Sequence, residues 1–264
     1  MIKYILIASN SLQEFLAYRL NFFLWRLRVI ISVLISFFLW QTIYAGRSQV
    51  FGYDKDQMLT YIILITFLNG LVLSTQTFRI ADEINTGTIS NFLIRPMNYF
   101  GFIAARDIAD KTLNTVFSIF EMVMLVILLK PPIFLQTSIY WLSLFFISSI
   151  LAAVLFFGIG SILSLIGFWS RETWAPRFVF FILVTFLAGT YFPLDIFPRP
   201  IFDLLALLPF AYLIFFPLKI YLGNMSNDHL LGGFLIMFIW IFIVFVALQF
   251  IWKKGLRKYT SEGR

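Results

Sequence analysis

The sequence of residues 138–168 is SIYWLSLFFISSILAAVLFFGIGSILSLIGF, and it contains no Asp, Glu, Lys or Arg. A helix that crosses a bilayer needs about 20 consecutive apolar residues, so this stretch predicts a membrane-spanning helix that is tilted or protrudes. Small residues four positions apart allow two membrane helices to approach closely. The stretch has three such pairs, which are Ser148 and Ala152, Ser149 and Ala153, and Gly160 and Ser164.

The composition of the whole chain agrees with that stretch. Of 264 residues, 61% are hydrophobic and only 12% are charged. Soluble domains carry about 25% charged residues, and half that charge cannot cover a compact surface in water. The composition therefore excludes a soluble domain, a disordered chain and a fibrous repeat, and it predicts an integral membrane protein.

Other long apolar stretches predict further spans at Val29–Ala45, Gln57–Phe78, Thr112–Leu129, Trp174–Phe192 and Leu231–Trp252. One more apolar stretch, Ile201–Leu222, is divided by Pro209 and Pro217 into pieces of about ten residues, which suit re-entrant or interfacial helices better than a span. A seventh span is the alternative. We predict an all-α membrane protein with six transmembrane helices and an outer re-entrant hairpin at 193–230.

The distribution of basic residues favours six spans over seven. With six spans and a cytoplasmic N-terminus, the outer side carries only Arg47, Lys55, Lys130, Arg199 and Lys219. With seven spans, the Lys and Arg residues divide almost evenly between the two sides. Because Lys and Arg concentrate in cytoplasmic loops, we expect a multi-pass protein of the cell membrane with both termini cytoplasmic and a basic tail at 253–264.

The first 28 residues predict an amphipathic helix on the cytoplasmic membrane surface. Leu12, Phe15, Leu16 and Leu20 recur at helical spacing, while polar residues occupy the other side. The alternative is an ordinary N-terminal extension of the first span.

A second amphipathic segment lies in the predicted cytoplasmic connection 79–111. Apolar residues such as Ile80, Ile84 and Ile89 form a stripe, Gly87 weakens the helix, and Pro96 ends it. A short amphipathic helix held at the membrane edge by two spans is well placed to dock a partner. The alternative is a solvated loop that lies on lipid headgroups.

Polar residues within the predicted spans are few. Glu121 is the carboxylate that the sequence places deep in the bilayer, where an ionisable group is a functional candidate by default. It is expected to line a cavity, to couple to a proton, or to be hydrogen-bonded at a helix interface. Thr66 and Asn69 belong to a polar streak in the second span that faces a pathway or a neighbouring helix.

Several classes of function find no support in the chain. There is no Cys, and the single histidine, His229, is predicted to lie in a loop, so we expect no metal site. The chain contains neither the phosphate-binding motif G-x-x-x-x-G-K-[ST] nor G-x-S-x-G. We therefore expect no catalytic residues and no enzyme activity in this chain. The net charge of +7 reflects membrane topology, and we expect no nucleic-acid partner.

Several short motifs occur in a definite order along the chain. E-x-x-x-G-T-I occurs at 83–89, Ile-Arg-Pro at 94–96, G-x-x-F-P-L at 189–194 and Leu-Pro-Phe at 208–210. With six spans and an amphipathic N-terminal helix, the chain resembles the permease subunits of type 2 ABC exporters over its whole length. Residues 12–19, LQEFLAYR, are similar to an uncharacterised branch of that family.

The resemblance implies a division of labour between subunits. Such permeases form dimers, of two copies or of two homologous chains, and they bind separate ABC-type ATPase subunits that carry ATP and Mg. The expected function is ATP-driven export of a hydrophobic or amphipathic substrate from the cytoplasm or the inner leaflet. Residues 1–264 then form a single transmembrane permease domain, with no cofactor of its own and with membrane lipid as a further partner.

The resemblance also implies roles for individual residues. The segment 80–94 would be the coupling helix, with ATPase contacts at Ile80, Asp82, Glu83, Gly87, Thr88, Phe92 and Arg95. The second and fifth spans would flank the translocation path, with candidate residues Thr66, Asn69, Thr185 and Gly189. The 193–222 hairpin would close the outer mouth of the path.

Two other functions compete with this one. A gradient-driven secondary transporter or channel would use charged residues at the midplane, and Glu121 is the candidate for that role. A membrane-embedded lipid-modifying enzyme would need a catalytic cluster, which the sequence does not offer.

Overall fold

The computed structural model describes residues 19–94, 96–223 and 225–259, and these residues are mostly helical. The helices are α1 Arg19–Ile43, α2 Lys55–Leu68, α3 Arg79–Asn85, α4 Ser90–Leu93, α5 Tyr99–Leu129, α6 Ile139–Ser164, α7 Trp174–Leu187, α8 Arg199–Leu207, α9 Phe215–Tyr221 and α10 Asn227–Leu256. Two short antiparallel strands pair between α1 and α2, β1 Gln49–Val50 and β2 Tyr53–Asp54. A π-helical segment, Asn69–Leu73, continues α2, and 3₁₀ turns occur at Leu165–Phe168, Leu194–Ile196 and Pro209–Tyr212.

In the part of the chain that the structure describes, five helices are long and apolar enough to cross a membrane. They are Phe22–Ile43, Lys55–Leu73, Tyr99–Leu129, Ile139–Phe168 and Asn227–Leu256. The helix α7 is apolar but has only 14 residues, which gives a length of about 21 Å against a hydrocarbon core of about 30 Å. The mostly helical membrane fold is confirmed. The span predicted at Trp174–Phe192, which corresponds to α7, stays a prediction.

Two helices begin earlier than the sequence pattern predicted. The helix α1 already includes residues 19–28 and is continuous with the first span, as in the alternative interpretation of the N-terminal segment. The remainder of the predicted surface helix, residues 1–18, lies outside the described residues. Residues 99–111, predicted as part of a cytoplasmic connection, form the beginning of α5. Their place on the cytoplasmic side stays a prediction, and the structure shows that the charged residues Asp107, Asp110 and Lys111 are buried.

The segment after α7 is divided into short helices, as its prolines predicted. Pro209 begins the 3₁₀ turn that separates α8 from α9, since proline has no N–H to continue a helix. The helix α9 packs against α6 and α2, and Phe215, Phe216 and Leu218 are buried. A re-entrant position of this segment in the membrane stays a prediction.

The prediction for His229 was wrong. His229 lies in the first turn of α10, where the side chain of Ser226 accepts a hydrogen bond from its backbone N–H. A serine in this position satisfies one of the free N–H groups at a helix start, which extends α10 over residues that the sequence pattern assigned to a loop.

Two hydrophobic clusters hold the described helices together. The larger one joins α1, α2, α6, α9 and α10. The smaller one lies where α3 and α4 meet the first turns of α5, the 3₁₀ turn after α6 and the end of α10. The small residues of α6 are buried, as predicted, and Gly160 leaves room for Thr77, since a Cβ there would lie 2.6 Å from the Thr77 hydroxyl.

Candidate functional site

The segment 79–94, which contains α3 and α4 and is called the α3–α4 segment below, is held in place by its surroundings. Its helices have 7 and 4 residues, too few to persist alone in water. Ile80, Ile84 and Ile89 are buried in the smaller hydrophobic cluster. Gly87 joins the two helices with a φ of 76°, a left-handed conformation that favours glycine.

Glu83 faces inward, not toward the solvent. Its carboxylate accepts a hydrogen bond of 2.6 Å from the Tyr99 hydroxyl and forms an ion pair of 3.2 Å with Arg106. Its side chain is 13% exposed. Burial raises the pKa of the Glu83 carboxyl, while the bond from Tyr99 and the charge of Arg79 act in the opposite direction. Glu83 therefore attaches α3 to α5, a role that the sequence did not reveal because both partners lie in another helix.

The solvent side of the segment is polar as far as Asn91, and beyond it the apolar Leu93 and Ile94 are exposed. Asp82, Thr86, Thr88 and Asn91 are exposed, and these four residues define what is called the α3–α4 face below. The Asp82 side chain is 57% exposed and lies 3.6 Å from the guanidinium of Arg177 at the start of α7. Two of the seven expected ATPase contacts, Asp82 and Thr88, therefore lie on this face.

The remaining expected contacts lie elsewhere. Ile80 is completely buried, and the Phe92 ring packs against the Phe102 ring at 4.5 Å. Gly87 forms the turn, and Arg95 lies outside the described residues. The α3–α4 segment thus has an apolar inner side, an internal anchor at Glu83 and a polar outer face.

The second span ends in a break next to this segment. After the π-helical residues 69–73 the chain becomes extended at Ser74. The ammonium of Lys111 donates to the backbone carbonyls of Val72, at 3.0 Å, and Ser74. Carbonyls at a helix end have no partner within the helix, and Lys111 supplies the donor for two of those at the break.

Asp107 fixes the residues that follow the break. Its carboxylate accepts bonds from the Thr75 hydroxyl at 2.6 Å and from the Gln76 backbone N–H at 2.8 Å. It also lies 3.5 Å from the Lys111 ammonium. Asp107 and Lys111 together hold both sides of the break against α5.

Close approach between the π-helical segment and α5 depends on Gly70. A Cβ at Gly70 would overlap the Ser118 hydroxyl and lie 2.7 Å from the Asn114 carbonyl oxygen. We expect Gly70→Ala to destabilise the chain by about 1–3 kcal/mol, because backbone must move to admit the methyl group. Thermal unfolding in detergent measures this effect.

The matched control is Gly232→Ala, since a Cβ at that exposed position in α10 meets nothing within 4 Å. Alanine is a better helix former than glycine, so the control is expected to be neutral or stabilising. Equal melting temperatures for the two variants would contradict the proposed close approach at Gly70.

Glu121 is hydrogen-bonded at a helix interface, in an ion pair with Arg26 of α1. Arg26 Nε donates to Glu121 Oε1 at 2.6 Å, its Nη2 binds Oε2, and Nη2 also donates to the Ser118 hydroxyl at 3.0 Å. The side chains are 8% and 6% exposed. Glu121 lies about 12 Å along α5 from its end at Leu129. The sequence missed the partner because Arg26 was assigned to the cytoplasm.

This pair belongs to a longer polar stripe on α5. Positions three and four apart share one face of a helix, and the buried or half-buried residues with this spacing are Asp107, Asp110, Lys111, Asn114, Ser118 and Glu121. Asn114 connects the two ends, since it donates to Asp110 at 3.1 Å and accepts from Arg26 at 3.4 Å. Gln76 donates to Asp110 at 3.1 Å. The stripe fastens α5 to α1 and to the end of the second span.

The four candidate path residues lie on two elements, α2 with its π-helical continuation and α7 with the turn after it. Thr66 is buried in α2, and its hydroxyl has no hydrogen-bond partner among the described residues. Asn69 is half-buried, and the Thr185 hydroxyl donates to Phe181 O at 2.7 Å within α7. Gly189 forms the turn after α7 with a φ of 81°. Its carbonyl accepts a 2.7 Å bond from Tyr61 of α2, which links α2 to the end of α7.

A polar cluster that the sequence did not predict lies at the opposite end of the bundle. The Asp195 carboxylate forms a 2.7 Å ion pair with Lys219 of α9 and accepts a 2.7 Å bond from the Tyr53 hydroxyl. Burial and the charge of Asp195 raise the pKa of Tyr53. These bonds tie the strand pair between α1 and α2 to the segment that follows α7.

Comparison with known proteins agrees with this architecture. A family model described as ABC-2 family transporter protein matches residues 30–263. Among curated proteins, none matches the chain significantly. The match includes the α3–α4 segment, the α5 stripe and α10.

Proposed function

The chain belongs to the ABC-2 family of transporter proteins, and from this premise we propose that it is the permease subunit of an ATP-driven exporter. A transport role in a membrane follows from the family and the apolar helices. Export, the ATPase partner and the substrate class are our proposal. In it, two permeases, identical or homologous, move a hydrophobic or amphipathic substrate out of the cytoplasm or the inner leaflet.

The observation that supports the proposal most is the construction of the α3–α4 segment. It presents a polar face to solvent and is fixed from behind by buried isoleucines and by Glu83. A rigid, exposed element of this kind suits docking of a separate protein, because force applied to it is not lost in bending. We propose that ABC-type ATPase subunits, which carry ATP and Mg, bind here on the cytoplasmic side, with both termini on that side.

The attachments of the segment suggest how movement reaches the membrane. Glu83 connects it to α5, and Asp107 and Lys111 connect α5 to the end of the second span. Closure of the ATPases would then shift these elements as rigid bodies, which is a common form of switching transition. The path would run beside the second and fifth spans, near Thr66, Asn69, Thr185 and Gly189. The segment 193–222 would close its outer mouth.

Reversing the charge on the α3–α4 face tests the docking site. We expect Asp82→Arg combined with Thr88→Arg to reduce recovery of the ATPase by about tenfold or more, because two exposed contacts become bulky cations. The tagged chain is expressed with its native neighbours, extracted gently and analysed by mass spectrometry for a P-loop ATPase.

The matched control is Asp203→Arg, an exposed carboxylate in α8, which is expected to leave recovery unchanged. If the ATPase is recovered with the wild-type chain and equally with the double variant, the α3–α4 face is not the docking site. If no ATPase accompanies the wild-type chain, the exporter proposal itself fails.

A further inference from the structure

The residue Tyr259, just after the last helix, binds the α3–α4 segment. Tyr259 follows α10, and its hydroxyl donates to the backbone carbonyl of Gly87 at 2.9 Å. The same hydroxyl lies 2.7 Å from the Ser90 hydroxyl, which acts as the donor of that second bond. The Tyr259 ring packs edge-on against Phe168 at 6.1 Å. Both bonds thus hold the turn between α3 and α4.

The end of α10 is itself held firmly against the smaller hydrophobic cluster. A Cβ at Gly255 would overlap the Phe168 ring, so glycine allows α10 to approach the 3₁₀ turn after α6. One turn earlier, the Trp252 ring stacks on Tyr99 at 5.2 Å with an interplanar angle of 9°. Because Tyr99 in turn binds Glu83, α10 is connected to the α3–α4 segment at two separate places.

Tyr259 adds to bonds that the turn between α3 and α4 makes within its own backbone. The Ile89 N–H donates to the Glu83 carbonyl at 3.1 Å, and the Ser90 N–H donates to the Gly87 carbonyl at 3.2 Å. Gly87 also has more conformational freedom than other residues. With helices as short as α3 and α4 on either side, the conformation of the turn depends on contacts from outside the segment.

We propose that Tyr259 is a positioning residue that makes the turn at Gly87 and the end of α10 move as one body. The inference rests on the proposed function, because it concerns the segment assigned to ATPase docking. It adds the last membrane-spanning helix to the elements that receive movement from that segment, beside α5 and the second span.

The chain contains no cysteine, so a pair of spin labels can be introduced without background. The exposed residues Asn91, in α4, and Lys254, in α10, are replaced by Cys and labelled. Distances between the labels are measured by electron paramagnetic resonance on the purified chain in nanodiscs. We expect a narrow distance distribution, and a width about twofold larger in Tyr259→Phe, since sub-states of the turn become populated without the hydroxyl.

The substitution Tyr259→Phe keeps the ring against Phe168, and the matched control Tyr140→Phe removes an exposed hydroxyl at the start of α6. Ser90→Ala should broaden the distribution as well, and the double variant Tyr259→Phe/Ser90→Ala should be no broader than Tyr259→Phe alone, because both changes remove one network. An unchanged width in Tyr259→Phe, or a width that the control reproduces, overturns the proposal.

A second measurement tests whether the positioning role of Tyr259 matters for transport. With the ATPase bound, Tyr259→Phe should lower the amount of substrate moved per ATP hydrolysed while ATPase affinity stays unchanged. Normal transport per ATP would overturn the positioning role. The spin-label measurement needs no ATPase, so its result is independent of the docking experiment, and failure of either proposal can be told from failure of the other.

Discussion

Replacing Arg26 with Met is expected to destabilise the chain by about 3–5 kcal/mol, because the Glu121 carboxylate would remain buried without its cation. The reverse change, Glu121→Met, should cost a similar amount, since it leaves the guanidinium buried. The double variant Arg26→Met/Glu121→Met should recover most of the loss, because neither charge is then present. Unfolding of the purified chain in detergent gives the three free energies.

The control for this prediction is Arg199→Met, which removes an exposed arginine from α8 and should change stability little. If Arg26→Met proves as stable as that control, the ion pair with Glu121 does not hold α1 against α5. A double variant as unstable as the single ones would show that the bonds from Arg26 to Ser118 and Asn114 dominate.

The double variant also separates the two transport mechanisms. In the exporter proposal, Glu121 supports the helix interface, so a stable double variant should still transport and should still depend on ATP. A gradient-driven transporter that uses Glu121 would lose transport in the same folded variant and would ignore depletion of ATP. The short, charge-assisted bonds between Arg26 and Glu121 favour the first outcome, because a carboxylate that must exchange protons would be held back by a fixed cation.

Sequence reasoning predicted the helical membrane fold because apolar length and low charge are local properties. It did not predict the partners of three charged side chains near the starts of α1 and α5. Arg26 of α1 binds Glu121 of α5, while Asp107 and Lys111 of α5 bind the residues around the break after the second span. Those partners lie 31 to 95 positions away along the chain. The pattern of residues within a single segment therefore cannot predict them.

The candidate docking site was predicted only in part, because its spacing is a local property and its contacts with other helices are not. Helical spacing was enough to separate the buried Ile80 and Ile84 from the exposed Asp82. It could not show that Glu83 forms a hydrogen bond with Tyr99 and an ion pair with Arg106. Nor could it show that Tyr259, after the last helix, binds the turn at Gly87. The spacing of the polar residues on α5 is visible in the sequence. Their bonds to α1 and to the residues around the break are visible only in the structure.

The largest effect near the α3–α4 segment is expected from Lys111→Met. This change leaves Asp107 without its cation and the carbonyls of Val72 and Ser74 without their donor, so we expect a loss of about 3–5 kcal/mol or more. Lys254→Met, which removes an exposed lysine near the end of α10, is the matched control. The same unfolding measurement in detergent applies.

Neutralising Asp107 separates the two roles of Lys111, which are to pair with that carboxylate and to bind the backbone carbonyls at the break. In Lys111→Met/Asp107→Asn the charge of Asp107 is gone, although Asp110 remains, and the amide oxygen introduced at position 107 would still accept bonds from Thr75 and Gln76. The two backbone carbonyls, however, remain unsatisfied in this variant, and each buried group without a partner costs about 1–3 kcal/mol. Recovery should therefore be partial here, whereas the Arg26–Glu121 pair should recover most of its loss. Full recovery would mean that Lys111 serves only as the counter-ion of Asp107 and does not cap the broken end of the second span.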